Sequence, residues 1–238
     1  MRNDRRKMVV SSEENGTASI KSGLPRQAES VIALAGLVMV APLIALAAIA
    51  IAVTSRGPVI FRQKRMGRKG RPFTMYKLRT MRVANSGPQV TAGDDTRVTP
   101  IGKFLRKTKL DEMPELWNIL KGDMSLIGPR PEVPRYIDLE DPMWRLVLEA
   151  KPGITDPMTL RLRNEEALLV EVEGDRERFY LETLVPFKLE GYLNYLQARS
   201  WRSDLKVLWQ TIVAVAFPYK APLPTLEEIQ SYTIRHRR

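Results

Sequence analysis

The sequence predicts an α-rich α+β protein: one N-terminal re-entrant membrane helix, then a single cytosolic helix-rich domain with short strands and interfacial amphipathic helices. Three observations carry that prediction. Val31 to Val53 are 23 consecutive residues without a charge. The rest of the chain alternates Pro/Gly-punctuated short apolar runs with helical periodicities. The 238 residues contain no cysteine and a single histidine, His236, in the terminal Arg-His-Arg-Arg stretch. The last point removes disulfide frameworks, thiolate metal sites, cysteine nucleophiles and histidine triads. Acid–base or nucleophilic chemistry is left to Asp, Glu, Lys, Tyr, Ser and Thr.

Residues 1–25 are polar and aperiodic and read as a disordered leader. The apolar run is long enough for a membrane helix and too long and too far from the terminus for a signal peptide. Pro42, after Ala41, divides it into arms of 11 and 12 residues, each about 16–18 Å at ~1.5 Å per residue, roughly half of a ~30 Å hydrocarbon core. Pro42 lacks an N–H and its ring crowds the carbonyl of Val38, so a kink is expected there. Lys21 and Arg26 precede the run; Arg56, Arg62, Lys64 and Arg65 follow it. Basic residues on both flanks fit a helix that enters and returns through one face, spanning 26–55, better than one that crosses. A kinked span remains the alternative.

The catalytic domain is expected over 56–217. Gly57-Pro58 makes a turn, and 59–61 and 72–76 read as short strands around Gly67 and Gly70. Residues 85–100 form a loop. Helices are expected at 101–108, 114–121 closed by Gly122, 142–150, 164–173, 175–199 and 202–216. In the last, Leu205, Leu208, Trp209, Ile212, Val213 and Ala216 share one stripe, which suits either the membrane interface or the core. Residues 218–238 read as a basic tail.

Net charge is +11, which points to an anionic membrane, a phosphorylated substrate or nucleic acid. From Arg56 to Arg82 there are ten Lys/Arg and no acid. That block follows the apolar run directly, which favours a membrane surface. A membrane-anchored nucleic-acid-binding module is the alternative, but aromatics in the block are limited to Phe61, Phe73 and Tyr76, and no nucleic-acid motif is present.

The most informative stretch runs from Lys109 to Glu132. Asp111 and Glu112 are adjacent carboxylates just before a short helix that opens with Pro114, a residue tolerated only in the first turn. Backbone N–H groups and the positive helix end there attract phosphates and their metal complexes. The plain reading is an N-cap and a solvated acid; the functional one is a nucleophile and a metal ligand.

Several blocks together resemble the bacterial sugar transferases, small monotopic phosphoglycosyl transferases. They are Gly57-Pro-Val-Ile-Phe-Arg-Gln63 with Arg65 and Gly67; Phe73-Thr-Met-Tyr-Lys-Leu-Arg-Thr-Met81; Asp95-Thr-Arg97; Thr99-Pro-Ile-Gly102; Leu105 through Asn118; Gly122 through Glu132; Lys151-Pro-Gly-Ile-Thr155; and Arg163-Asn164. They cover residues 26–216 in the family's order. The chain departs from the family in having Ala41-Pro42 where Ser-Pro is usual, Asp156-Pro157 where Gly-Leu is commoner, and Glu29 for an Asp. The resemblance implies transfer of a sugar 1-phosphate from a UDP-sugar to polyprenyl (undecaprenyl) phosphate, with Mg²⁺, at the start of surface-glycan assembly. It implies Asp111 as nucleophile, Glu112 as Mg²⁺ ligand, and Lys77, Arg79 and Arg106 on the diphosphate. Arg130, held rigid between Pro129 and Pro131, would contact the nucleotide, and Arg163 a phosphate. A single displacement with Asp111 as base is the rival mechanism. Residence at the bacterial inner membrane on its cytoplasmic face is implied, with membrane lipids as partners and no nucleic acid; the sequence is compatible with a homo-oligomer.

Overall fold

The computed structural model describes residues 20–83, 91–217 and 224–229. Helix α1 runs uninterrupted from Arg26 to Thr54, so the helix expected to break at Pro42 continues through it. It is the one helix among the described residues long and apolar enough to cross a membrane. One stripe faces the domain: Ala33, Ala47 and Ile51 are buried, and Leu37, Val40 and Ile44 are partly buried between them. These positions recur every three or four residues, the period of one helix face. Val31, Leu34, Val38, Met39, Leu46 and Val53 point outward and are exposed.

Both ends of α1 are fastened to the domain. Arg26 donates to the carbonyls of Ile119 and Leu120 (3.0 Å for the latter). Glu29 accepts from the Leu126 amide at 3.1 Å. At the other end, the Arg79 guanidinium donates to the carbonyls of Ser55 and Arg56 at 2.8 and 2.7 Å. The leader expected to be disordered to residue 25 is therefore docked over its last residues. Lys21 N–H donates to the Leu196 carbonyl at 3.1 Å, and Leu24 N–H to the buried Asp204 carboxylate at 2.9 Å. Residues 1–19 lie outside the described part.

Strands β1 (Ile60–Met66) and β2 (Pro72–Leu78) form an antiparallel hairpin in which Phe61 faces Lys77 and Arg65 faces Phe73. Both strands extend beyond the stretches expected from sequence, because the basic residues of β1 pair with the apolar alternation of β2. Helix α2 (Pro100–Thr108) is capped by the Thr99 hydroxyl, which accepts from the Gly102 amide at 3.0 Å. Helix α3 (Glu115–Lys121) ends at Gly122, whose φ of 91° is the left-handed turn that glycine adopts without strain.

A second, parallel pair joins β3 (Ser125–Ile127) to β4 (Gly153–Thr155). The two backbones cross so closely beside it that a Cβ on Gly153 would stand 2.2 Å from the Gly128 nitrogen. Neither strand was anticipated, since three-residue strands carry too little alternation to read. Helices α4 (Pro142–Glu149), α5 (Pro157–Arg161), α6 (Glu165–Val170), α7 (Arg176–Phe179), α8 (Val185–Ala198) and α9 (Trp201–Ala216) complete the domain. Residues Tyr180–Leu184 form a π-helical turn between α7 and α8.

Three apolar clusters hold the parts together. The largest packs α4, α5, α6 and α8 around Trp144, Leu184 and Leu193. It includes Ile229, fully buried, so the expected tail returns to the core; residues 218–223 and 230–238 lie outside the described part. A second joins α1, β2, α3, β3 and α9 through Ala33, Met75, Ile119, Ile127 and Val207. The third seats Ala47 and Ile51 of α1 on Leu78 and Leu105. On α9 the expected stripe divides: Leu208 and Val213 are half-buried, while Leu205, Trp209 and Ile212 are exposed; Val207, outside that stripe, is buried.

Candidate active site

Lys109 ends α2 in the left-handed conformation, φ 58°. The chain then makes one tight turn, Leu110–Glu112, before α3 begins. That turn carries Asp111 and Glu112, both 7% exposed. Neither caps α3, whose start has no side-chain cap, so the plain N-cap reading falls: the intervening turn holds the acids one step upstream of the helix.

The two acids are treated differently. Glu112 Oε1 accepts from Lys77 Nζ at 2.8 Å and from Arg130 Nη2, while Arg130 Nη1 lies 3.5 Å from Oε2. Burial works against its charge, yet Arg130, Lys77 and Lys109 hold it well below the usual carboxylate range. Asp111 Oδ1 is buried with no hydrogen-bond partner. Burial first, then the Glu112 charge, push Asp111 up to about 6, opposed by Lys77, Lys109 and Arg106.

Lys77 stands between two carboxylates. Its Nζ is also 3.1 Å from Oε1 of Glu115, a residue 1% exposed. Burial raises the Glu115 pKa, and Glu112 adds to the rise against Lys77. Sequence reasoning missed Glu115, although it lies three residues beyond Glu112, a spacing that puts two side chains on one helical face. Asn118, fully buried one turn on, ties α3 to β2 by accepting from the Tyr76 amide at 3.2 Å and donating to the Thr74 carbonyl at 2.7 Å. This clamp sets the height of Lys77 against the acids.

Of the other expected residues, Arg130 reaches the cluster. It sits on the segment after β3, between the buried Pro129 and Pro131. The Pro129 carbonyl accepts from Gly153 at 3.0 Å and the Pro131 carbonyl from Arg65 at 3.0 Å. Arg106 lies behind Asp111, its Nε donating to the Thr80 hydroxyl at 3.0 Å and its Nη1 paired with Glu166 at 2.6 Å. Arg163 is half-buried on the turn between α5 and α6. Arg79 is 5% exposed and its guanidinium is directed at Ser55 and Arg56, away from the acids. The structure thus gives Arg79 the C-terminal end of α1, where sequence reasoning expected a diphosphate contact.

Among the described residues no three acids or histidines converge as a ready-made metal cage. The adjacent Asp111 and Glu112 nevertheless fit Mg²⁺, which is commonly held by one or two carboxylates and completes its shell with phosphates and water. The hard-oxygen chemistry of the carboxylates, Glu112 above all, is what supports the fit.

The family profile described as bacterial sugar transferase matches residues 20–218. The chain belongs to the bacterial sugar transferase family. It is 39% identical over 178 residues to a UDP-glucose:undecaprenyl-phosphate glucose-1-phosphate transferase of Caulobacter vibrioides, covering 72% of this chain and 62% of that relative. An Escherichia coli protein of the same description is 32% identical over 213 residues, 86% of this chain and 42% of the relative. A UDP-N-acetylgalactosamine-undecaprenyl-phosphate N-acetylgalactosaminephosphotransferase of Aeromonas hydrophila is 40% identical over 144 residues, 58% of this chain and 33% of the relative. The match therefore spans less than two thirds of each of these relatives. The family match includes α1, Asp111–Glu112 and the Pro129–Pro131 segment.

Proposed function

We propose that this family member transfers a sugar 1-phosphate from a UDP-sugar to a polyprenyl phosphate such as undecaprenyl phosphate, releasing UMP. The observation that carries the reading is the unequal pair: Asp111 Oδ1 is buried with no hydrogen-bond partner, while Glu112 beside it is held by Lys77 and Arg130. Asp111 Oδ1 attacks the phosphorus bonded to the sugar; the bond to the UMP oxygen breaks and UMP leaves with the electron pair. The phosphosugar stays on Asp111 as an acyl phosphate. A polyprenyl phosphate oxygen then attacks the same phosphorus, and the Asp111 carboxylate is regenerated. Dividing the transfer in two lets one acid serve a water-soluble donor and a lipid acceptor in turn.

Lys77 and Arg130 are positioned to pass from Glu112 to the diphosphate, Arg by its planar fork and Lys as a point charge. Glu112 would hold Mg²⁺, which would supply charge neutralisation for the diphosphate and the departing UMP. Arg106, behind Asp111, adds positive potential, and Arg163 would contact phosphate from the α5–α6 turn.

The acceptor phosphate lies at headgroup level, so the site must be held at that height. Both ends of α1 are bonded to one domain, the condition for a helix that enters and leaves through the same membrane face. This supports the re-entrant reading. The outward face of α1 with Trp209 and Ile212 of α9 would meet lipid. The test is transfer by the full chain in nanodiscs, given UDP-sugars, Mg²⁺ and undecaprenyl phosphate. UMP release with labelled sugar in the lipid fraction, lost in Asp111→Asn, is expected. Undiminished transfer by Asp111→Asn overturns the assignment of Asp111.

A further inference from the structure

Behind the Pro129–Pro131 segment lies a second charged cluster that the chemistry above does not use. Lys188, on α8, is 4% exposed, and its Nζ is 2.9 Å from Glu165 Oε2, 3.5 Å from Glu132 Oε1 and 3.1 Å from the Tyr180 hydroxyl. The Tyr180 hydroxyl in turn donates to Glu132 Oε1. Glu132, 5% exposed, is also joined to β1: Met66 N–H donates to its carbonyl at 2.8 Å, and Arg65 Nη1 is 3.8 Å from Oε2.

An isolated ammonium in such a place would lose its proton to burial. Burial does oppose its charge, but Glu165 and Glu132 outweigh it and raise the Lys188 pKa above the usual lysine value. A buried ion pair of this kind is weak evidence for stability, because desolvation offsets the attraction; its best-attested use is to fix one arrangement over others. The arrangement fixed here is specific. The cluster closes on Glu132, two residues after Arg130, and Arg130 is, with Lys77, one of the two residues that grip Glu112 from other elements. The π-helical turn Tyr180–Leu184 lies between Tyr180 and Lys188; the extra residue it inserts shifts their register along the helix, so that both reach Glu132.

We propose that Lys188 is a positioning residue for Arg130: by clamping Glu132 it fixes the Pro129–Pro131 segment and so aims the Arg130 guanidinium at the donor's phosphates. The proposal rests on the reading of Arg130 under the proposed function. Lys188 itself touches no substrate. Its removal frees the segment to shift, and a displacement of an ångström or less at a binding group costs about tenfold to a hundredfold.

The experiment is a double-variant cycle on the full chain in nanodiscs, with UDP as the unreactive probe and Mg²⁺ present. The wild type, Lys188→Met, Arg130→Ala and the double variant are compared in UDP affinity and melting temperature. Lys188→Met is expected to weaken UDP about tenfold and to raise KM for the donor more than it lowers kcat. In the Arg130→Ala background the same change is expected to weaken UDP by less than about twofold, while lowering the melting temperature as much as before. Tyr180→Phe removes the hydroxyl that bonds both partners with little change in volume, and is expected to show the same coupling more weakly; it serves if Lys188→Met does not fold. Equal losses of affinity in both backgrounds would make the cluster merely structural and overturn the proposal. Failure of the wild type to bind UDP would instead overturn the functional reading on which the proposal rests.

Discussion

Arg79 and Lys77 sit two residues apart on one strand, yet the structure gives them different work. Lys77 stands between Glu112 and Glu115. Arg79 is buried against the end of α1, satisfying the carbonyls of Ser55 and Arg56. Arg79→Ala strands those acceptors, so we expect a loss of about 2–4 kcal/mol of stability by denaturant unfolding. Donor affinity of the folded fraction should be unchanged. Lys77→Ala should raise donor KM at least about tenfold and also lower the melting temperature, since Glu112 keeps Arg130 but the buried Glu115 loses the cation beside it. A large affinity loss in Arg79→Ala with full stability would return it to the diphosphate. The Asp111–Glu112 pair was legible because a chain without cysteine and with one terminal histidine leaves carboxylates as the main reactive groups. The fates of Arg79, Glu132 and Lys188 were not legible. They depend on partners such as Glu132 and Tyr180, 48 residues apart, and no local spacing reports such a pairing.

At the scale of elements, several helix starts have a physical counterpart in a side-chain cap, although α3 and α6 begin without one. Thr99, Asp156, Asp175 and Ser200 all accept from first-turn amides. Asp156 is the informative one. It is 1% exposed and caps α5 through the Met158 and Thr159 amides at 2.6 and 3.1 Å. Burial pushes its pKa up to about 6, outweighing those hydrogen bonds. The folded state therefore binds this proton more tightly than the unfolded chain, and the protein loses stability as pH rises through the interval from about 4 to 6. Asn caps about as well and carries no charge. Asp156→Asn should accordingly gain on the wild type across that interval, levelling above about pH 7 at a difference on the order of 2 kcal/mol. Urea unfolding of both proteins at pH 5 and pH 8 checks this; a difference independent of pH would contradict it. Short elements escaped sequence reasoning for a related reason. Strands β3 and β4 exist because Gly128 and Gly153 let two backbones meet, a contact between distant residues that no local pattern encodes.

Across the whole molecule, three apolar clusters leave the reactive acids where α2, α3 and the segment after β3 converge, with the basic hairpin β1–β2 supplying Lys77. The apolar run legible in the sequence became a helix laid along this body, its inward stripe packed and its outward face bare. Both ends of the helix are tied to the body that carries the acids, so the bare apolar face and the acid pair form one unit. That unity is what a reaction between a soluble nucleotide sugar and a lipid phosphate requires. The central claim is that Asp111 carries the phosphosugar between the two substrates. Its most direct test is intact-mass analysis of the purified chain in nanodiscs, given UDP-sugar and Mg²⁺ without any polyprenyl phosphate. The account predicts a near-stoichiometric burst of UMP and a mass increase of one sugar phosphate, both absent in Asp111→Asn. UMP release that begins only when polyprenyl phosphate is added, with no adduct at any time, would contradict it and make the transfer a single displacement.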